Sequence, residues 1–489
     1  MDEVKTKVAN TLKWNAVDKL LTQLLYAVTG IVLARVLSQA DFGLVGAILV
    51  FQAFASLFVD SGFSSALIQK QHPTDEDYTT VFWFNLSTAT AIYIVLFACA
   101  PLIAACYDGD QRIIPLSRVM FLTFILNASA IVQTNRLMKR MEVKMIAVSN
   151  SAGLVVSAVV GIAMALTGWG AWAIVWQSIV LAATKSAILW ATSSWRPSWT
   201  FSWASLRSIF KVGAGVMGSS FLNTLFQNIY GFFIGARAGM VSMGYYYQAD
   251  KWSKMGIMSL SQILTSSFLP VLSEYQKEPV RFAAVTSKMN RFTGYVLFPA
   301  VGMLIAMSHP VFHALFGSKW DASVTLFQLL LVRGIFTVLC SLYNNYILAL
   351  GRSRLLVAAE VIRDVVALAA ILITLPYIAL SSPNDLTEGV RIFLWGQVAA
   401  SAATWVVTLV ITARLSRRHF GAYLYDLFPY LVETIVAMLP MLWLKEVIAN
   451  PWLTLAAQGA VGLIIYVGIN WLLRSRVQAD AIAYFRRKL

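Results

Sequence analysis

Polar residues interrupt this chain at short intervals, and between them lie apolar runs about as long as an α-helix needs to cross a bilayer. With a rise of about 1.5 Å per residue, roughly 20 apolar residues cover a hydrocarbon layer of ~30 Å. Such runs recur over 12–36, 42–66, 78–105, 112–134, 145–167, 169–193, 205–236, 240–270, 285–307, 323–350, 353–380, 389–413, 424–446 and 452–473. The pattern predicts an all-α polytopic membrane protein with 14 transmembrane helices. A water-soluble fold is excluded. With 58% hydrophobic residues, 12% charged residues and a mean hydropathy of +0.69, there is more apolar surface than a soluble core can hide.

The excess of 38 Lys and Arg over 23 Asp and Glu would suggest nucleic acid in a soluble protein. Here topology accounts for it. One set of alternate loops carries 25 basic residues, including Lys70, Arg136, Lys139, Arg196, Arg281, Arg352, Arg417 and Arg474; the other set holds only Arg112, Arg237, Lys319, Arg391 and Lys445. Lys and Arg accumulate on the cytoplasmic side, so an even number of spans with both termini cytoplasmic is expected. No nucleic-acid partner is needed. Cys99, Cys106 and Cys340 show no metal or redox spacing and read as packing thiols. His309 and His313 are four apart but without nearby carboxylate or cysteine partners, in what reads as an external loop, so neither a metal nor any other cofactor is expected. In HPTDED, His72 to Asp77, the acids read as the cap of the helix that follows.

A second pattern lies over the first. Ala34-Arg35 followed by Gly43 recurs as Ala236-Arg237 followed by Gly244, at offsets of 202 and 201. VLFA at Val95 to Ala98 recurs as VLFP at Val296 to Pro299, offset 201, and Arg118-x-x-Phe121 as Arg333-x-x-Phe336, offset 215. The period spans six helices, an even number, so both copies enter the membrane in the same direction and their pseudo-two-fold axis runs along its normal. Residues 1–195 then form one lobe of helices 1–6, residues 196–415 a second lobe of helices 7–12, and residues 416–489 an added pair with a basic tail. The Ser- and Trp-rich stretch about Pro197 reads as an interfacial linker between the lobes. Gly231, Gly235 and Gly239 form GxxxGxxxG, a close-packing face.

Charges within spans cost about 2.5–3.5 kcal/mol each on insertion scales, so they face a bundle interior or a watered cavity, or pair internally. The basic ones are Lys19, Arg35, Arg118, Lys185, Lys251, Lys254, Arg333 and Arg363; acidic company is thinner, namely Asp18, Asp60, Asp250, Glu360, Asp364 and Glu433. Glu360 and Arg363 share one helix face and can pair.

LARVLSQADFGLVGA, Leu33 to Ala47, resembles the first-turn motif of polysaccharide flippases of the multidrug/oligosaccharidyl-lipid/polysaccharide exporter superfamily. VDSGFSSALIQ (Val59 to Gln69), YYYQADKW (Tyr245 to Trp252) and FLPVLSEYQ (Phe268 to Gln276) resemble the branch that exports lipid-linked repeat units. The resemblance implies a non-enzymatic flippase. It would carry an undecaprenyl-pyrophosphate-linked oligosaccharide across the bacterial inner membrane by alternating access, in concert with other polysaccharide assembly proteins; the alternative is a multidrug or organic-cation antiporter of the same superfamily. A desolvated pyrophosphate must be met by fixed cations. Arg118, Arg333, Lys251 and Lys254 are the expected cavity cations, and Arg35 and Arg237 the expected outer rim. Asp60, Asp250 and Glu360 are the candidates for ion coupling, with Arg363 and Asp364 for internal pairing.

Overall fold

The computed structural model describes residues 2–59, 67–265, 268–380 and 385–486; among these, no side chain is described at 2–10, 12, 209, 211–219, 265, 481, 482 and 484–486. Asp60 and most of the VDSGFSSALIQ motif lie outside the described residues. The described chain is almost wholly helical and divides into two compact units, Met1–Gly244 and Tyr245–Leu489.

The first unit contains α1 (Asp2–Val36), α2 (Gln39–Val59), α3 (Asp75–Ala105), α4 (Ile113–Met120), α5 (Leu122–Lys139), α6 (Val143–Leu166), α7 (Ala171–Thr192) and the first part of α8 (Trp203–Thr265). Leu37 and Ser38 alone separate α1 from α2, because Ser38 and Asp41 form a capping box. The Asp41 N–H donates to Ser38 Oγ at 3.2 Å and the Ser38 N–H to Asp41 Oδ2 at 3.0 Å. The core joins Leu44, Val45 and Ile48 of α2 to Ile103 and Tyr107, to Phe121 and Phe124, and to Ala171 and Val175 of α7. The predicted cap of the third span is present: Thr74 and Asp77 satisfy each other's backbone N–H groups at the start of α3. Trp195 is buried against Tyr78, Phe82 and Val132, whereas Trp199 and Trp203 are exposed, so two of the three linker tryptophans suit an interface and one is core.

The second unit continues α8 and adds α9 (Phe268–Glu274), α10 (Pro279–Phe316), α11 (Asp321–Ala349), α12 (Ser353–Thr374), α13 (Glu388–Leu415), α14 (Phe420–Val447), α15 (Pro451–Leu472) and α16 (Arg476–Arg486). Here α10 packs on α14 and α15, and α11 on α13. Tyr343, Tyr346 and Tyr423 form an aromatic centre with Phe282 and Leu342. His309 and His313 belong to α10 rather than to a loop, their rings stacked at 5.9 Å, and Asp321 stands 3.5 Å from His313. No cluster of three or more metal-ligating side chains occurs among the described residues.

Twelve helical stretches among the described residues are long and apolar enough to cross a membrane. Two local features separate that number from the fourteen runs in the sequence. The seventh and eighth runs share one 63-residue helical element, broken only at Gly239, whose φ of 81° is open to glycine and strained for other residues. Ser353–Thr374 has the length, but Arg354, Glu360, Arg363 and Asp364 make it too charged. Large apolar side chains such as Leu24, Val159, Ile263, Ile373, Trp443 and Ile464 stay exposed along the helices, as a lipid-facing surface requires. The protein is a multi-pass membrane protein.

Candidate functional site: embedded cations and their partners

The YYYQADKW motif opens the second unit on α8, and α8 runs alongside α11. Ser323 donates to the Tyr245 carbonyl at 3.0 Å, and Gly334 sits so close to Ile257 that a Cβ would lie 2.4 Å from its Cδ1. The two contacts advance together along both chains, so the helices are parallel and in step. Arg333 is therefore level with residue 256, about 3 Å along the axis from Lys254. The structure thus brings Lys254 and Arg333 onto adjoining helices.

Their electrostatic situations differ. Lys254 pairs with Asp250 at 2.6 Å, which removes most of its net charge; the other oxygen of that carboxylate, Oδ1, is buried without a partner. Lys251 is half-buried with its ammonium 5.7 Å from the Trp252 ring. Arg333 is half-buried and its Nε–H, shielded from solvent, meets no acceptor. Gln248, fully buried, has neither end of its amide partnered, and Trp252 Nε1 is also unpartnered. Buried polar groups in folded proteins are nearly all hydrogen-bonded, so these are groups that a bound species or ordered water would satisfy.

The expected partner of Arg333 in the other sequence copy is differently placed. Arg118 lies in α4, where its Nε donates to the Phe97 carbonyl at 3.2 Å and its guanidinium stacks 4.3 Å from the Phe97 ring. Arg35 and Arg237 are both exposed at helix ends. On α12, Arg363 binds Asp364, its neighbour on the chain, at 2.9 Å rather than Glu360, which is exposed.

Two polar sites escaped sequence reasoning, and a third residue, Glu433, is marked there only as an embedded acid. Asp41, beyond its capping box, accepts the Ala171 N–H at 2.9 Å and so caps α7, whose own preceding residue, Gly170, offers no side chain. Asp426, wholly buried, receives Arg291 at 2.8 Å, Arg418 at 2.7 Å and Ser287 at 2.9 Å. Both arginines count as loop charges in the sequence, and the signal for their partner is an acid inside the apolar run LYDLFPY. Glu433 is held by Asn470 at 2.7 Å, joining α14 to α15.

In the first unit, the turn motif and its later echo touch. A Cβ on Gly43 would lie 1.8 Å from the Met240 carbonyl oxygen, and one on Gly244 would lie 1.9 Å from that of Gln39. Each glycine meets the backbone that precedes the other, and both pairs of equivalent positions, 39 with 240 and 43 with 244, differ by 201.

The helical arrangement is that of known exporters. The inward closed conformation of the lipid II flippase MurJ aligns with 96% of this chain and 99% of its own at a TM-score of 0.71 and 13% identity. An inward-facing multidrug MATE transporter of the MOP superfamily aligns over 81% of this chain and 96% of its own at a TM-score of 0.60 and 16% identity. The class is thus a membrane protein with the MOP exporter fold. Residues 32–325, more than half of the chain, match the family described as "Polysaccharide biosynthesis protein", and the chain belongs to that family. Its relatives include the succinoglycan biosynthesis transport protein ExoT of Rhizobium meliloti, 27% identical over 74% of each chain. The teichuronic acid biosynthesis protein TuaB of Bacillus subtilis is 25% identical over 73% of this chain and 74% of its own. The lipopolysaccharide biosynthesis protein WzxC of Escherichia coli is 24% identical over 68% of each.

Proposed function

We propose that this protein is a flippase that moves an undecaprenyl-pyrophosphate-linked oligosaccharide from the inner to the outer leaflet of a bacterial inner membrane, for capsule, exopolysaccharide or O-antigen assembly. Membership of the polysaccharide biosynthesis family and the MurJ-like fold support it. The observation that carries the chemistry is Arg333: a buried guanidinium N–H without an acceptor, level with the Lys254–Asp250 pair, is what a desolvated phosphate would complete. Lys251 and Arg118 are its companions in this reading, with Arg35 and Arg237 at the outer rim. Asp250 is the nearest candidate for ion coupling, since cargo competing for Lys254 would release it.

Two six-helix lobes, fourteen crossings and cytoplasmic termini belong to the same proposal; the reciprocal glycine contact at offset 201 supports the repeat. A second reading, an organic-cation antiporter, draws on the MATE likeness. It is disfavoured because a cationic cargo needs embedded carboxylates in excess, whereas embedded bases outnumber embedded acids in the sequence and Asp250, Asp364 and Asp426 are each already bound to a base, although Glu433 meets only Asn470. The deciding experiment compares wild type with Arg333→Ala at equal membrane abundance. Lipid-linked repeat units should accumulate on the cytoplasmic face in the variant. Normal export would overturn the assignment of Arg333, and sensitivity to cationic dyes without lipid accumulation on loss of the protein would favour the antiporter.

A further inference from the structure

Glu433 is buried between α14 and α15, and its Oε2 takes a hydrogen bond from Asn470 Nδ2 at 2.7 Å. In this it differs from most of the embedded acids. Asp250, Asp364 and Asp426 each bind a base, and Glu360 is exposed. Asp18 also meets an amide, that of Asn150 at 3.3 Å, but it is less buried. Burying a carboxylate among neutral groups is costly, and a bound proton removes the cost; ionisable groups inside membranes often serve as proton relays for this reason.

The titratable groups around Glu433 are phenols. Tyr295 of α10, Tyr430 of α14 and Tyr466 of α15 form one ring cluster beside it, with the Tyr430 and Tyr466 rings 5.8 and 5.6 Å from that of Tyr295 and the Tyr466 hydroxyl donating to the Tyr295 carbonyl at 2.9 Å. The bases of the packed elements are spent or distant. Arg291 and Arg418 bind Asp426, which lies two turns and about 10 Å back along α14. Lys288 of α10 binds Asp480 of α16 at 2.9 Å. Lys445 and Glu446 lie about 18 Å further along α14, α13 carries charge only near its ends, at Glu388, Arg391 and Arg414, and α15 carries none.

Asn470 also faces open space. With Trp471, Arg474, Ser475, Gln478 and Ala479 it lines a cavity of about 420 Å³ where α15 ends, far larger than one water needs. Trp471, Leu472 and Leu473 are exposed to acyl chains, and Arg474 and Arg476 follow at once, a step that marks the head-group layer. One amide thus stands between the buried carboxyl and a cavity at the membrane boundary.

We infer that Glu433 is a proton-binding site, loaded through this cavity from the side of the membrane that holds Arg474 and Arg476, with Asn470 as the gate, and that transport responds to its occupancy. Hydronium in the cavity gives its proton to the carboxylate and leaves as water; the neutral acid still accepts the Asn470 N–H, and release follows the reverse path. The site is separate from the Lys254–Asp250 pair and Arg333. Proton binding stands whether or not the protein is a flippase, whereas the response of transport rests on that reading.

Infrared titration of the full chain in lipid nanodiscs tests the site without any cargo. A carboxylic C=O band should grow as pH falls and be missing from Glu433→Gln, which keeps the size of the side chain and an acceptor for Asn470. Transferred to D2O, the protonated band should shift, and Ala479→Trp, which fills the cavity, should slow that shift at least tenfold. Identical carboxylic bands in wild type and Glu433→Gln at every pH would overturn the site, and an unchanged rate in Ala479→Trp would overturn the route. In proteoliposomes, the pH profile of lipid-linked oligosaccharide flipping should flatten in Glu433→Gln; a profile like that of wild type would overturn the link to transport. Absence of flipping by wild type, with the infrared band intact, would count against the flippase reading and not against the proton site. Circular dichroism of both variants separates loss of the site from loss of the fold.

Discussion

Asp426 illustrates why a single residue can decide the second unit's packing. Its side chain is 0% exposed, and the Coulomb and hydrogen-bond terms from Arg291, Arg418 and Ser287 offset the cost of burying it. Removing one partner of a buried ion pair costs about 3–5 kcal/mol, because the remaining charge is left desolvated. Asp426→Ala is expected to lower the thermal unfolding midpoint of the detergent-solubilised protein markedly. Asp41→Ala, which removes the caps of α2 and α7 together, should cost about 1–2 kcal/mol, with Asp41→Asn between. Outside the spans, the Arg112 guanidinium holds the Asp110 carboxyl below the usual carboxylate range, and the Arg112 N–H groups add to this against the opposing effect of burial. A lowered folded-state value means that the stabilisation is present above the ordinary range and is lost as pH falls through Asp110's own value. Arg112→Ala should therefore raise the pH at which this carboxylate protonates in infrared titration. An unchanged titration would remove Arg112 as the cause.

For whole elements, backbone approach matters more than side-chain identity. The α2 start and the α8 break touch through Gly43 and Gly244, where an added Cβ would meet carbonyl oxygens below 2 Å, with no flexible side chain able to give way. Gly43→Ala and Gly244→Ala should each displace the contact and reduce the yield of folded protein. Gly468→Ala on α15 is the contrast: a Cβ there meets nothing within 4 Å, so the change should be neutral or stabilising by up to about 1 kcal/mol. Equal behaviour of the three variants would show that the close approach carries no energetic weight. The sequence exposed these glycines through their repeated spacing, but not that they touch. It likewise marked His309 and His313 as loop residues, whereas the helix continues through Pro310 to Phe316.

For the whole molecule, the asymmetry of loop charges predicts sidedness. In a background lacking Cys99, Cys106 and Cys340, a membrane-impermeant thiol reagent added to intact cells should label Gln111→Cys and Ser318→Cys and spare Arg140→Cys and Arg352→Cys. The reverse pattern would invert the proposed topology. The charge bias is not purely topological, however. Arg291 and Arg418 belong to the basic set and are also the partners of Asp426, and Lys70 is bound to Asp77 at 2.7 Å.

Hydrophobic run length, loop charge and a repeated spacing are local properties, and they suffice for helices, membrane residence and the echo of the first turn, because a bilayer forces every span to satisfy its own backbone hydrogen bonds. Partners are not local. Whether Lys254 is neutralised by Asp250, whether Arg333 keeps an unfilled N–H, and whether Asp41 caps its own helix or one that begins 130 residues later depend on which helices lie side by side. That adjacency is set by close packing of small residues and buried polar contacts between segments distant in the chain, and only the tertiary structure decided it.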